Sequence, residues 1–209
     1  PHPISGNMRR GELREHEHKE GKTMTTYSVE SYIKDIRKVV KEEVIEKSIT
    51  DRIKPLALRL AKEKSWIKPE YYNVNEEQGF GLHLLHEEDD HKLAVFVIAW
   101  APGKGLAPHN HKTWAVVAGI QGQEHETNYK RLDNGSKNGF ADLIKTNEET
   151  IFPGNATCCL PEDIHSVWNN GEDIALSIHT YGMHLNHTGR SIFDVKSKTE
   201  TPCIVQVQN

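Results

Sequence analysis

Two histidines that are one residue apart are the clearest candidates for chemistry in this 209-residue chain. They are His109 and His111, in the stretch GKGLAPHNHKTWAVVAGIQG. Positions i and i+2 of a strand share a face, so both imidazoles can point to one ion. A third histidine, His165, follows a proline turn in PEDIHSVWN. Since imidazole is a ligand for several transition metals, the three histidines predict a metal site.

A second group of reactive side chains alternates in the stretch ALSIHTYG, as Ser177, His179 and Tyr181. Alternate residues of a strand share a face, so the hydroxyl, the imidazole and the phenol can form a hydrogen-bonded row. Arg190 follows in TYGMHLNHTGRSIFD, and its guanidinium group can bind a carboxylate through two parallel hydrogen bonds. The alternative interpretations are an ordinary half-buried strand and a surface arginine.

The elements that must hold these residues are predicted to be two helices followed by short strands. Apolar residues recur at spacings of three and four from Ser28 to about Lys64, with Ser28 as N-cap and Pro55 in the first turn of the second helix. After Pro69 the period changes to two, in about eight runs separated by turns. Because no helix interrupts these runs, the pattern predicts an all-β antiparallel sandwich or barrel of the jelly-roll kind.

The length suits one domain with an appended helical segment. The first 23 residues are polar, lack periodicity and contain no apolar stretch, so no signal peptide is predicted. The predicted division is a flexible leader or cloning remnant over 1–23, a helical segment packed on the barrel over 24–70, and the barrel with its metal site over 71–209.

Composition and charge argue against several classes of function. The formal net charge of −4 gives no basic surplus for nucleic acid or an anionic membrane, and no run of about 18 apolar residues could span a bilayer. Cys158, Cys159 and Cys203 are odd in number and two are adjacent. This is unlike a disulfide framework and predicts a cytoplasmic protein. We expect a monomer or a small homo-oligomer.

Together these motifs resemble the two motifs of the cupin superfamily. The matching residues are Gly103, His109, His111 and Gly122 in the first motif and, more loosely, Pro161, His165 and Asn169 in the second. Ala115 stands where the first motif has a glutamate, which removes a carboxylate ligand and leaves three neutral histidines. The resemblance implies a cupin double-stranded β-helix, a jelly-roll barrel, here preceded by α-helices.

Three histidines without a carboxylate resemble the thiol dioxygenase branch of cupins, which includes cysteine dioxygenase and mercaptopropionate dioxygenase. The row Ser177, His179 and Tyr181 is similar to the Ser-x-His-x-Tyr triad of that family, and the similarity covers roughly residues 79–194. The resemblance implies Fe(II) as the cofactor, a small thiol and O2 as substrates, and a sulfinate as product. It also implies that Tyr181 hydrogen-bonds the oxygen or the substrate and manages protons.

The position of the arginine separates two substrates within that branch. Cysteine dioxygenases of the mammalian type have an arginine on a strand before the first motif, a place that by register falls near His83 here, so that arginine is absent. Mercaptopropionate dioxygenases have it after the triad tyrosine, where this chain has Arg190. The resemblance thus favours a 3-mercaptopropionate-like thiol carboxylate over cysteine. The cysteine that crosslinks to the tyrosine in mammalian enzymes would lie near Val116, so no crosslink is expected.

Two other classes of function stay open on the sequence alone. Three histidines and a water molecule also describe a zinc-dependent cupin enzyme, although no carboxylate beside the motif is an obvious general base. A non-catalytic metal- or ligand-binding cupin is the other class, but it would not need the Ser-His-Tyr row. His125, His184 and His187 have no partner that the sequence identifies.

Overall fold

The computed structural model describes residues 26–208, which contain two α-helices and eleven strands. The helices are α1 (Val29–Glu42) and α2 (Glu46–Lys62). Ser28 caps α1 as predicted, because its Oγ accepts the backbone N–H of Ser31 at 3.1 Å. The leader predicted over residues 1–23 lies outside the described residues.

Pro55 lies inside α2, so the prediction that it occupies the first turn is wrong. A proline has no N–H, and the carbonyl of Asp51 therefore loses its helical partner. The helix continues because its apolar face is buried on both sides of the proline, at Ile49, Ile53 and Leu60. Packing of this face against the barrel offsets the missing hydrogen bond.

The strands follow the helices in chain order. The first six are β1 (Phe80–Glu87), β2 (Lys92–Trp100), β3 (Gly105–His109), β4 (Ala115–Gln121), β5 (Glu124–Arg131) and β6 (Leu143–Ile151). The other five are β7 (Ala156–Cys159), β8 (Ile164–Trp168), β9 (Ala175–Met183), β10 (Ser191–Asp194) and β11 (Thr199–Pro202). Short 3-10 helices occupy Pro69–Tyr72 and Leu185–His187.

The strands form two sheets, and every pairing between neighbours is antiparallel. One sheet has the order β1-β2-β9-β4-β7, and the other has the order β11-β10-β3-β8-β5-β6. Strands that are distant in sequence thus become neighbours, as in a jelly roll. The predicted all-β cupin double-stranded β-helix with N-terminal α-helices is confirmed as the fold class.

The five-stranded sheet is buried on both faces, which explains the continuous apolar run of β2. Val95 and Val97 of β2 face the core shared with α1 and α2, whereas Phe96 and Ile98 face the core between the two sheets. Tyr32 of α1 also reaches this sheet through a buried hydroxyl contact of 2.5 Å with Thr180.

The helices pack against the barrel on its outer side, where α2 contacts β4, β7 and β9. The inner side of the five-stranded sheet is therefore left to face the second sheet and the space between them. The division of the chain at residue 70 stays a prediction. No helix within residues 26–208 has the length and apolar character needed to cross a membrane.

Candidate metal centre

The three predicted histidines meet between the two sheets. His109 ends β3, and β8 places His165 opposite it in the strand pairing. The ligand nitrogens of His109, His111 and His165 all lie within 4.8 Å of one another. Their side chains are almost fully buried, at 2–3% exposure. The structure thus brings together the three residues that the sequence singled out.

His111 does not lie on a strand, so the strand argument that paired it with His109 is wrong in detail. β3 ends at His109, and the chain turns at Lys112, whose φ of 54° is in the left-handed region. Asn110 holds the start of this turn, because its Oδ1 accepts the N–H of Ser191 at 2.8 Å. The turn, rather than strand alternation, directs the imidazole of His111 toward the other two.

The donor atoms of this cluster fit a transition-metal ion. The Nε2 atoms of His111 and His165 are 3.3 Å apart, which is about the spacing of two nitrogens bound at roughly 2.0 Å to a tetrahedral ion. His109 donates from Nδ1 to the carbonyl of Ala107 at 2.9 Å, which leaves its Nε2 with a free lone pair. The Nδ1 of His111 is buried and has no hydrogen-bond partner among the described residues.

Electrostatics keep the imidazoles of His109 and His111 in the neutral form that binds metal. Burial lowers the pKa of His109 and of His111 well below the usual value, and the neighbouring His165 and Arg190 lower both further. Both side chains are therefore neutral near pH 7, as coordination requires. Neutral His109 and His111 can each offer a ring nitrogen to a divalent ion.

A buried carboxylate that the sequence analysis missed supports this centre. Glu126 of β5 is 2% exposed, and its Oε1 accepts the Nδ1–H of His165 at 2.6 Å. Such a partner fixes the ring orientation and raises the basicity of the opposite nitrogen. A carboxyl group therefore contacts one of the three histidines. It lies behind the His165 ring, at Nδ1, and not on the side of the Nε2 atom that faces His111.

The row of hydroxyl, imidazole and phenol forms as predicted on β9. Ser177 Oγ is 2.7 Å from His179 Nε2, and His179 Nδ1 is 2.9 Å from the hydroxyl oxygen of Tyr181. The Tyr181 ring lies 5.2 Å from the ring of His111, measured between centroids. One end of the row therefore borders the metal centre.

The row continues at its other end to a second buried carboxyl group. Burial raises the pKa of Glu124 to about 8, while the hydroxyl of Ser177 favours its charged form. Burial also lowers the pKa of His179 to about 3 and raises the pKa of Tyr181 above its usual value. The row is therefore neutral near pH 7 and extends from Glu124 to Tyr181.

Arg190 opens into the same cavity as the histidines. The side chain is 3% exposed, and its Nε and Nη2 atoms are buried without a hydrogen-bond acceptor among the described residues. A buried cation without a partner is costly. An anion bound beside the guanidinium group would therefore stabilise it.

The cavity is narrow, with a volume of about 20 Å³, and combines these polar groups with an apolar wall. The polar groups are the three histidines, His179, Tyr181 and Arg190. The apolar wall includes Phe80, Leu82, Ile98, Trp100, Leu106 and Val167. The lining suits a small anionic ligand with an apolar body, and side chains of the wall must move apart to admit one.

His83 and Val116, near which the resemblance places an arginine and a cysteine, do not face the cavity. His83 does not face the cavity: its Nε2 is 2.9 Å from the carbonyl of Asn73, and Phe80 and Leu82 are the residues of β1 that line the cavity. Val116 packs on the side of the helices, and Ala115 is the residue of β4 paired with Tyr181. In each strand the preceding residue, Leu82 or Ala115, lies on the inner side instead, because neighbouring residues of a strand point to opposite faces.

No protein-family model matches the chain. Among solved structures, recombinant oxalate oxidase in complex with glycolate is 17% identical over 53% of this chain and 54% of that chain, with a TM-score of 0.42. An uncharacterized conserved protein with a double-stranded β-helix domain from Klebsiella pneumoniae is 16% identical, covering 62% and 92%, with a TM-score of 0.41. A cupin superfamily protein from Desulfitobacterium hafniense is 11% identical, covering 58% and 94%, with a TM-score of 0.41.

The matched region spans about half of the oxalate oxidase chain. Similarity at this level bears on neither activity nor substrate, so the fold rests on the strand topology and the site on its side chains. Fold and side chains together define a cupin-type barrel with a candidate three-histidine metal centre.

Proposed function

We propose that this protein is an iron(II) thiol dioxygenase that oxidises a small mercapto-carboxylate of the 3-mercaptopropionate type to its sulfinate. The observation that supports this most directly is the unpaired Arg190 in the same cavity as the three histidines. An enzyme for such a substrate needs a metal for the sulfur and a cation for the carboxylate. The three histidines that could hold the metal and the Arg190 side chain line the same cavity.

The three histidines would hold the iron through imidazole nitrogens. A bound iron(II) ion would supply the centre at which the thiolate and O2 react, with both oxygen atoms passing to sulfur. His109 and His111 are neutral by burial, so no proton has to leave them for the ion to bind. Glu126 orients His165 through the 2.6 Å contact at Nδ1.

Arg190 would bind and orient the substrate carboxylate. Its free Nε and Nη2 atoms suit a bidentate contact with two carboxylate oxygens. Burial strengthens this ion pair relative to one in water. The contact would fix the thiol end of the substrate toward the histidines, and the gain from such positioning is a general source of catalysis.

Tyr181 would donate a hydrogen bond, and exchange a proton, beside the reacting sulfur. Its raised pKa keeps the phenol protonated near pH 7, so it can donate a hydrogen bond into the cavity. His179, with a pKa of about 3, is a neutral donor and acceptor in contact with that phenol. Ser177 completes the row and holds the imidazole in place.

The lining favours a mercapto-acid over cysteine. Cysteine carries an ammonium group, for which a carboxylate partner is expected. None of the described residues that line the cavity is acidic, and Phe80, Leu82 and Ile98 are apolar. Cysteine remains the second candidate substrate.

The other two classes of function fit the site less well. A zinc-dependent enzyme would need a free general base, whereas Glu126 is engaged with His165. A binding role without catalysis would leave the Ser-His-Tyr row without a use.

The test is O2 consumption by iron(II)-loaded protein with 3-mercaptopropionate and cysteine in parallel, with the sulfinate identified by mass. We expect sulfinate from 3-mercaptopropionate at a much higher kcat/KM. Preference for cysteine would retain the metal site and contradict the role of Arg190. A lack of O2 uptake with either thiol, in protein shown to hold iron, would contradict the proposed activity and favour the binding role.

A further inference from the structure

A second group of histidines lies outside the cavity, where the turn between β1 and β2 meets the segment that follows β9. Glu87 ends β1, His91 lies in the turn, and His184 and His187 follow β9. We name these four residues the outer cluster. None of the four lines the cavity that contains Arg190. They therefore form a separate group of possible metal ligands.

Three members of the outer cluster already lie at nearly ligand spacing. One ligand atom each from Glu87, His184 and His187 lies within 4.8 Å of the other two. Ligands bound to a tetrahedral zinc ion are about 3.3 Å apart, given bonds of roughly 2.0–2.2 Å. Side-chain movements of about 1 Å would close the difference, which is small for a half-buried glutamate and an exposed histidine.

His91 supports the other three residues. Its Nδ1 is 2.6 Å from Glu87 Oε1, and its ring stacks on that of His187 at 3.6 Å between centroids, with planes 8° apart. Its carbonyl accepts the backbone N–H of His184 at 2.8 Å. The turn and the segment after β9 are thus tied together before any ligand arrives, which lowers the entropy cost of binding.

The imidazole of His184 is held as a neutral donor. It is 7% exposed and packs edge-on against Phe96, at 5.2 Å between ring centroids. Burial lowers its pKa, while the nearby Glu87 acts in the opposite direction. Its Nδ1 accepts the N–H of Asn186 at 3.2 Å, a long bond that a metal ion can replace. A neutral imidazole is the form that coordinates metal.

We propose that the outer cluster is a second metal site, in which Glu87, His184 and His187 bind a divalent transition-metal ion of the zinc type. Two imidazoles and one carboxylate are a known donor set for zinc, with one position left for water or for His91. Imidazole donors favour such ions over magnesium or calcium, which prefer oxygen. The site is independent of the proposed dioxygenase activity, because it shares no residue with the cavity.

Zinc binding by equilibrium dialysis, with metal measured by mass spectrometry, tests this site. The proteins are the full chain, Glu87→Gln and His187→Ala, and both changes lie at half-buried or exposed positions that should not disturb folding. We expect each variant to bind one zinc ion fewer per chain, or to bind it more than about tenfold more weakly. Loss of a hydrogen-bond partner of a metal ligand typically lowers metal affinity 10–100-fold, and loss of the ligand itself should lower it at least as much.

The matched control is His125→Ala. His125 also faces a carboxylate, with its Nε2 3.5 Å from Glu148 Oε1, but it is not part of any group of three ligands among the described residues. We expect its zinc binding to equal that of the unmodified chain. All four proteins share the central histidines and the pair His16 and His18, so the difference between them reports on the outer cluster alone.

Hydrogen exchange gives a second readout. Zinc should slow amide exchange in residues 183–190 of the unmodified chain and of His125→Ala, because opening of this segment would release the ion. It should not do so in His187→Ala. Equal zinc affinity and stoichiometry in all four proteins would overturn the proposal. So would an equal loss in His125→Ala, which would indicate nonspecific binding by surface histidines.

Discussion

Removal of the charge on Glu126 should weaken metal binding without disturbing the fold. Glu126 is buried, and its described hydrogen bond is the one from His165 Nδ1 at 2.6 Å. In Glu126→Gln the amide oxygen can still accept that hydrogen, so only the charge is lost. In Glu126→Leu the hydrogen bond is lost as well, and His165 is left with a buried donor that has no acceptor.

Two estimates of the metal-binding free energy that is lost with the Glu126–His165 contact agree. A hydrogen bond to a charged group contributes about 1.5–3 kcal/mol. Loss of a partner behind a metal-bound histidine typically lowers metal affinity 10–100-fold, or about 1.4–2.7 kcal/mol. We therefore expect iron(II) affinity to fall by about 100-fold in Glu126→Leu and by about 10-fold in Glu126→Gln.

The assay is competition for iron(II) with a chelator of known affinity under anaerobic conditions. Glu124→Gln is the matched control, because Glu124 lies two positions along the same strand, is equally buried and has a pKa of about 8. It is mostly protonated at pH 7, so the amide is a close mimic, and we expect less than about threefold change. Unchanged affinity in both Glu126 variants would refute the role assigned to this carboxylate.

Three further predictions concern the cavity and the row. Arg190→Met should lower kcat/KM for 3-mercaptopropionate by roughly 30-fold or more, about 2 kcal/mol for a buried charged contact, and steady-state O2 uptake should show little change for a thiol without a carboxylate. Tyr181→Phe should lower kcat by roughly 100-fold with a smaller change in KM, and equal loss of iron would instead indicate a structural role. Burial of Glu124 makes the native state bind an extra proton between about pH 4.5 and 8, so its contribution to stability falls as pH rises through this window, by up to roughly 5 kcal/mol. Urea unfolding of metal-free Glu124→Gln should accordingly show higher stability than the parent chain at pH 9 and equal stability at pH 5; a difference independent of pH would contradict this account.

The sequence predicted those features that depend on local pattern. The alternation in ALSIHTYG gave the shared face of Ser177, His179 and Tyr181, and both contacts of that row form. The change of period after Pro69 predicted the strands. In these cases the geometry follows from the two-residue repeat of a strand, which needs no knowledge of its neighbours.

The sequence did not reveal contacts that depend on which strands pair with each other. Glu126 meets His165 because β5 pairs with β8, and no local signal reveals that pairing. The only hint was the repeat of carboxylates at Glu124 and Glu126 on one strand face. Glu87 and His184 are likewise brought together by two pairings, that of β1 with β2 and that of β2 with β9. A local pattern also does not fix which face a residue takes: His83 lies away from the cavity, whereas its neighbour Leu82 lines it.

Isotope labelling tests the central claim most directly. Iron(II)-loaded protein is supplied with 3-mercaptopropionate under ¹⁸O2 in unlabelled water, and the product is analysed by mass. The account predicts a sulfinate that contains two ¹⁸O atoms, because both oxygen atoms come from one O2 molecule. A product with one or no ¹⁸O atom, or O2 uptake that yields only the disulfide, would contradict a dioxygenase at this centre.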